Sequence, residues 1–456
     1  MGQIFIANID NEDMLADRSV LTYEFRCHSA VAASKHAWFA EAGDIVVLPE
    51  PLSNEMHEYM AKVKEIPPDS VSFIVPSRTP VDVCPLGANV LDDDLLDRLK
   101  QATNGNGHWE LRPYHHDGSS ARLAKKLGFA NGNSKSAFFE ESGAELFNNK
   151  KIFRGLAAGR GVQVARGGVV FSQSQLMTAL DELIDATGAV IVKQNCHSGA
   201  LGNIIVAVTQ DVSGQGASEV LFVNDRFPLS KAARFLWESL AVDGAGTLVV
   251  EVYYPVSTDC YAEFFISDRG DVPRLLNLGE QRMEPLFAGF EIPGRIPAYQ
   301  LAQFISGATE LVRLAQDLGF TGLIDVDGII TCDGQIIFCE VNGRYGGASH
   351  IHYLAEKLLG AGYGNTHTLL TKNGVAAPLF GDLVRIIEDQ ALNLTAQRCE
   401  GILITAEDTA RTGTLDYVVA ADDRARAYDI ERWFIALLEG AHDEHQPQLR
   451  VSAGYH

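Results

Sequence analysis

Four oxygen-bearing side chains recur at fixed intervals late in the chain. They are Asp325, Asp327, Glu340 and Asn342, in the segment GLIDVDGIITCDGQIIFCEVNGRYGG spanning 322–347. Asp333-Gly334 stands between two apolar runs, the strongest short-range signal for a β-hairpin. A two-residue turn there predicts that Cys332 pairs with Gln335, Asp327 faces Glu340, and Asp325 faces Asn342. Residues two apart on a strand share a face, so all four side chains project from one side. Like charges opposed across a ladder are destabilising, and a cation placed between them removes that cost. Oxygen ligands without Cys or His select Mg²⁺ or Mn²⁺ over zinc. A Mg²⁺ held by a few carboxylates keeps coordination positions for substrate phosphates. Arg344, Gly346 and Gly347 follow, placing a fixed cation and accessible backbone beside the acids, as anion recognition requires. Glu340 and Asn342 stand among the core-type residues Phe338, Cys339 and Val341, where polar groups are rarely placed without a partner. Asp325 is equally compatible with a solvated strand face.

The elements around this hairpin alternate. Short apolar runs at 3–9, 44–49 and 71–76 predict buried parallel strands. Helical patterns near 53–64 and 91–102 lie between and after them, giving an α/β arrangement. NGNGH at 104–108 predicts a linker. An amphipathic helix at 176–188 precedes a strand at 189–194. Strands are expected at 203–208, 248–254, 260–267, 274–280, 323–331 and 335–341, with helices at 229–241, 298–318 and 350–360. A change of character near 375 introduces a last unit of roughly 80 residues, too small for most independent enzymes. Neither GxGxxG nor GxxxxGK[ST] occurs, so the common dinucleotide and P-loop motifs are excluded.

The chain has 456 residues, 46% of them hydrophobic and 21% charged, and a formal charge of −22. That balance is globular, and it excludes nucleic acid and anionic membrane surfaces as default partners. The charge is uneven: residues 112–166 carry 10 Lys/Arg against 4 Asp/Glu, a net +6. Seven widely spaced cysteines without a CxxC argue against a disulfide framework or structural zinc. The first residues lack the basic region of a signal peptide, and no run approaches a membrane span, so a cytoplasmic location is expected.

The strand ending FCEVNGRYGG resembles the metal-binding strand of the ATP-grasp superfamily, with its Glu-x-Asn-x-Arg pattern preceded by a hairpin Asp. The remaining parts of that family's site follow in chain order over about 135–360. The resemblance implies a first ATP-binding lysine in NNKKIFRGLAAGRGV, either Lys150 or Lys151. It implies a second, Lys193, at the end of AVIVKQ before a phosphate-covering loop with His197, Ser198, Gly199 and Gly202. Glu251 would read the adenine amino group, with the backbone of Val252 and Tyr253 along the ring, and Asp259 would meet the ribose. Arg282 would be the arginine before the metal hairpin. Asp327, Glu340 and Asn342 would hold the metal, and Arg344, Arg282 and Lys193 would serve phosphoryl transfer. The stretch between Lys193 and Glu251 is longer than usual, which predicts an inserted strand and helix within 209–246.

What the resemblance implies for the whole chain is an α/β and α+β multidomain protein. A Rossmann-like pre-ATP-grasp domain would span 1–115. The ATP-grasp core would span 116–375, with lobes at 116–247 and 248–375. A small α+β domain would follow at 376–456. ATP and Mg²⁺ (or Mn²⁺) are the implied cofactors. The implied reaction joins a carboxylic acid to an amine through an acyl phosphate, releasing ADP. The order of domains, with EVNGRYGG and NNKKIFRGLAAGRGV, further resembles the pheganomycin-type peptide ligases, which join a guanidino acid to a peptide in natural-product biosynthesis. Small-molecule donor and peptide or amine acceptor would then be the partners, and a homodimer is compatible with the sequence. A ligase for single amino acids or other small amines, and a non-catalytic ATP-binding scaffold, are the alternatives.

Overall fold

The computed structural model describes residues 2–12, 14–15, 22–77, 85–105, 108–129, 134–196, 200–241, 246–267 and 270–445. Strands β1 (Gly2–Ile6), β2 (Ile45–Val47), β3 (Ser72–Ile74) and β4 (Trp109–Pro113) form a parallel sheet in the order β3-β2-β1-β4. Helices α1 (Tyr23–Ser34), α2 (Asn54–Lys64) and α3 (Asp93–Ala102) supply the crossovers. Parallel strands covered on both faces need near-continuous apolar sequence, and Ile45, Val46 and Val47 are all buried. The expected linker at 104–108 joins α3 to β4 within this sheet rather than separating two units; residues 106–107 lie outside the described residues.

Helices α4 (Gly118–Lys126), α5 (Ser134–Glu140) and α6 (Lys150–Gly159) follow. Next comes a five-stranded sheet of β5 (Gly167–Val170), β6 (Ala189–Gln194), β7 (Asn203–Ala207), β8 (Glu219–Phe222) and β9 (Leu248–Val252), ordered β5-β9-β6-β7-β8. Helices α7 (Gln173–Ile184) and α8 (Leu229–Leu240) pack Leu176, Leu180 and Leu236 against Val190, Val206 and Val250. The strand and helix expected within 209–246 are β8 and α8.

The third sheet is antiparallel and has eight strands, ordered β14-β13-β10-β11-β12-β15-β17-β16. It contains β10 (Val256–Ile266), β11 (Arg274–Met283), β12 (Phe287–Ile292), β13 (Gly322–Thr331), β14 (Ile336–Asn342), β15 (Thr368–Ala376), β16 (Gly401–Asp408) and β17 (Thr414–Ala421). Helix α9 (Ala298–Leu318) lays Phe304, Ala308, Leu311 and Ala315 against one face. Helices α10 (Ser349–Leu359), α11 (Phe380–Asp389) and α12 (Arg424–His445) complete the chain.

Two sequence expectations change here. The boundary at 375/376 falls within β15, whose Val375 and Ala376 pair with Leu415 and Thr414. The last strands therefore extend the second lobe's sheet instead of building a separate one. They also cover the N-terminal unit: Trp38, Met56 and Met60 share a core with Ile402, Leu403 and Phe434, and the Trp38 indole donates to the Thr405 carbonyl at 2.7 Å.

The second change is in the hairpin. The loop has three residues, with Thr331 N–H bonded to Gln335 O at 2.9 Å and Gly334 left-handed at φ +86°. Cys332 does not pair with Gln335. The pairs Ile330–Ile336, Ile329–Ile337 and Gly328–Phe338 run one residue out of the expected register. An extra residue at Cys339 restores it, so Asp327 does face Glu340 and Asp325 does face Asn342. A bulge also re-aims side chains, and Cys339 and Glu340, adjacent in sequence, both line the same cleft.

Candidate active site

A cavity of about 140 Å³ lies between the five-stranded sheet and strands β10, β13 and β14. Its apolar wall comes from Ala165, Ile191, Val252, Ile329 and Ile337. Its polar wall comes from Lys150, Lys193, Glu251, Asp259, Gln281, Asp327 and Glu340. A recess beside it is lined by Asn148, Lys150, Glu340, Asn342, Arg344 and, from the N-terminal unit, Met14.

The two basic elements are built differently. Lys150 is the first residue of α6, whose N-cap Asn149 accepts from Ile152 N–H at 3.0 Å. Its backbone N–H donates to Asn195 O at 3.1 Å, and Lys151 N–H donates to Asn195 Oδ1 at 3.0 Å, tying the helix start to the end of β6. The Lys150 ammonium lies 3.0 Å from Glu340. Lys151 turns outward, with its ammonium 5.2 Å from the Phe171 ring. Geometry thus places Lys150, not Lys151, in the cleft.

Lys193 is 9% exposed and 2.7 Å from Glu251, which is 4% exposed. Arg154, one turn after Lys150, also binds Glu251. Burial alone would raise the Glu251 carboxyl, but the Lys193 and Arg154 charges lower it below the usual carboxylate range. Against the same burial, Glu251 lifts the Lys193 ammonium above its usual value. Both groups stay charged. The N–H groups of Val252 and Tyr253 donate to Arg166 O at 2.8 Å and Ala189 O at 3.0 Å, so they are used within the fold. Asp259 lines the cavity, and burial pushes its carboxyl up to about 7, against a hydrogen bond from Gln215.

At the other end Asp327 accepts from Gln281 Nε2 at 2.5 Å and from Asn342 Nδ2 at 3.0 Å. Burial, then Asp325 and Glu340, push the Asp327 carboxyl well above the ordinary value. Burial would raise Glu340 too, but Lys150 and Arg344 draw it down to about 2. Arg344 binds Asn342 and, at 3.0 Å, Asn148. Asp325 is 7% exposed and backs the row beside Glu263. It is a buried residue rather than part of a solvated face.

Arg282 is not brought to the cleft. It lies one residue beyond Gln281 on β11, hence on the opposite face, and forms a bidentate pair with Glu431 of α12 at 2.5 and 3.0 Å. Gln281 takes the place expected for Arg282. His197, Ser198 and Gly199 lie outside the described residues. The Gly202 carbonyl accepts from Gln194 N–H at 2.9 Å, next to the end of β6. The sequence reading missed Arg154, Gln215 and Gln281. Only Arg154 had a signal, its i+4 spacing from Lys150 on a helix.

Among the described residues, no group of three or more His, Cys, Asp or Glu could hold a metal by itself. Two carboxylates and an amide still suit Mg²⁺, which binds one or two protein carboxylates and completes its shell with water and phosphate. Asp325 Oδ1 and Arg344 Nε are buried without a hydrogen-bond partner, so polar capacity remains around the acids.

Residues 33–129 match the family model described as the pre-ATP-grasp domain. Among solved structures, the chain is similar to an ADP complex of N5-carboxyaminoimidazole ribonucleotide synthetase, at 15% identity and TM-score 0.54, covering 97% of this chain and 98% of that one. It is similar to biotin carboxylase from Campylobacter jejuni in a β-γ-ATP complex, at 12% identity and TM-score 0.56, covering 96% and 95%. It is similar to the biotin carboxylase domain of 2-oxoglutarate carboxylase from Hydrogenobacter thermophilus, a dimer with MgADP, ADP and bicarbonate, at 13% identity and TM-score 0.56, covering 94% and 88%. No curated protein matches the chain in sequence. The fold is therefore an ATP-grasp fold preceded by a pre-ATP-grasp domain. No described helix is long and apolar enough to cross a membrane.

Proposed function

We propose that this chain is an ATP-dependent ligase that forms an amide bond through an acyl phosphate and releases ADP. One observation carries the reading: a single cavity lined by Ile191, Val252, Ile329 and Ile337 also presents Lys150, Lys193, Asp327 and Glu340, with Lys150 3.0 Å from Glu340 and Asn342 in the recess beside it. That is the charge pattern of a nucleoside triphosphate chelated to a divalent cation.

In the first step a substrate carboxylate oxygen attacks the γ-phosphorus and the bond to the ADP oxygen breaks. In the second an amine nitrogen attacks the acyl carbon, inorganic phosphate leaves, and the nitrogen loses a proton. Bound Mg²⁺ would supply charge neutralisation at the phosphates, held by Asp327, Glu340 and Asn342. Lys150 and Lys193 would hold phosphate oxygens, Arg344 would stabilise charge on the transferring phosphoryl group, and Gln281 would fix Asp327. Positioning and electrostatics do most of the work in phosphoryl transfer.

The recess running from Arg344 to Met14 supports binding of the carboxylate donor at the edge of the N-terminal unit. The acceptor we propose is a peptide amine, and the donor a guanidino or amino acid, as in natural-product biosynthesis. ADP release with Mg²⁺, candidate acids and a peptide library, with products identified by mass spectrometry, tests this. Turnover stimulated by single amino acids but not by peptides removes the peptide acceptor. ADP release unchanged in Glu340→Gln removes the metal assignment.

A further inference from the structure

Another cavity, of about 270 Å³, lies between the parallel sheet and the ends of β10 and β13. Strand β4 is last in the order β3-β2-β1-β4, so its outer edge pairs with no strand among the described residues. The β4 residues that line the cavity are consecutive, from Glu110 onward to Tyr114 just past the strand, and so come from both faces. The cavity therefore runs along the edge of the strand rather than over one face. Tyr114 N–H donates inward, to Ile6 O of β1 at 2.8 Å. Backbone groups of successive residues alternate in direction, so Arg112 also turns its N–H and C=O to β1 while Leu111 turns both outward, to the cavity. An open strand edge of this kind is a template for pairing with another extended chain.

The other wall is apolar. Phe265 and Leu323, paired across β10 and β13, line it together with Phe320. The charge comes from Arg112, whose guanidinium lies 2.9 Å from the Glu110 carboxylate with the two side chains 35% and 42% exposed. An ion pair so open to solvent is weak, and its guanidinium is free to take a bidentate carboxylate instead. At its Tyr114 end the cavity meets the recess at the phosphoryl-transfer centre. Arg344 lines both, and no other residue does. Tyr345 N–H donates to Tyr114 O at 3.1 Å, and the two rings stack with centroids 6.3 Å apart. Burial raises the Tyr114 phenol, and the Arg344 guanidinium beside it opposes that rise. From Tyr114 to Arg112 the edge measures about 7 Å, the span of two extended residues.

Resting on the peptide-acceptor reading above, we propose that this cavity is the acceptor site, in which a short peptide adds as a strand along the edge of β4. Its main chain bonds to the N–H and C=O of Leu111, an apolar side chain meets Phe265 and Phe320, and its carboxylate binds Arg112. The peptide runs antiparallel to β4, which brings its amine to the Arg344 end. Affinity selection of di- to tetrapeptide pools with free termini, on the full chain with Mg·ADP, supplies the probe. Calorimetric titration of the selected peptide then compares wild type with Arg112→Gln, Leu111→Pro, which removes the outward N–H, and Leu111→Val, which keeps it. The expected result is about tenfold weaker binding in Arg112→Gln and Leu111→Pro, with Leu111→Val and the Mg·ADP affinity of all three within about twofold of wild type. The C-terminally amidated peptide should bind wild type and Arg112→Gln alike. If wild type retains no peptide, the peptide-acceptor reading fails and the site with it. If a peptide is retained and Arg112→Gln and Leu111→Pro bind it as wild type does, the site alone fails. A wild-type dimer that Leu111→Pro splits in sedimentation would mean that β4 pairs with a second copy, and that overturns the proposal.

Discussion

The Lys150 ammonium lies 3.0 Å from the Glu340 carboxylate, joining the first residue of α6 to the metal-type strand β14. Lys151, its neighbour, faces Phe171 instead. Lys150→Met should weaken Mg·ATP binding by about 10–100-fold, the loss of a charge-assisted contact of roughly 1.5–3 kcal/mol. Lys151→Met should stay within about twofold. Titration of both variants decides between them, and equal effects would show that the helix start has been placed wrongly.

Asp327 holds its half-buried carboxylate against Asp325 and Glu340, which raises its proton affinity. Asp327→Asn removes one of these opposed charges. Without Mg²⁺ the variant should melt a few degrees higher than wild type at pH 8, while Mg²⁺-dependent ADP release falls by about 100-fold or more. A variant that melts lower would mean that Asp327 is stabilised by contacts other than those seen.

Asp259 gives a pH dependence with a defined sign. Its carboxyl titrates at about 7 in the folded chain, against 3.8 ordinarily. Between those values the folded state binds more protons than the unfolded one, so this group's contribution to stability falls as pH rises from about 4 to 7 and then levels off. Asp259→Asn should therefore melt a few degrees above wild type at pH 8, and the difference should shrink to nothing near pH 4. Scanning calorimetry at three pH values checks it; a constant offset would contradict the assigned environment.

Arg282 is a structural cation here. Its partner Glu431 is buried and also accepts from the Tyr417 hydroxyl at 3.0 Å. Glu431→Gln leaves Arg282 without its counter-charge and should cost about 3 kcal/mol, the lower end of what breaking a buried pair does. Nucleotide affinity should stay within about twofold. Urea denaturation and nucleotide titration read the two effects separately, and loss of affinity without loss of stability would return Arg282 to the cleft.

The acids of the hairpin were legible because a period of two and a turn dipeptide survive in one short segment. Their facing was expected from a two-residue turn that does not form; the bulge at Cys339 cancels the one-residue difference. The order Lys150 or Lys151, Lys193, Glu251, Asp327, Glu340 was legible by resemblance, and the cavity gathers Lys150 with the other four. Which of Gln281 and Arg282 faces the cavity was not, since nothing within β11 says which face is inward. Gln215 was invisible for a different reason: it reaches Asp259 across 44 residues of sequence from a loop without periodicity. The third sheet's order was also out of reach, because the pairing of β12 with β15 depends on tertiary packing.

The shared core of the N-terminal unit and the last strands has a consequence for synthesis. Trp38 and Thr405, which hydrogen-bond, are 367 residues apart. At 5–20 residues per second, the partner emerges roughly 20–70 s after the tryptophan. Through that interval the apolar face formed by Trp38, Met56 and Met60 has been made while its cover has not. The nascent chain should therefore recruit holdase chaperones at its beginning rather than at its end, and slow codons late in the message should lengthen that exposure.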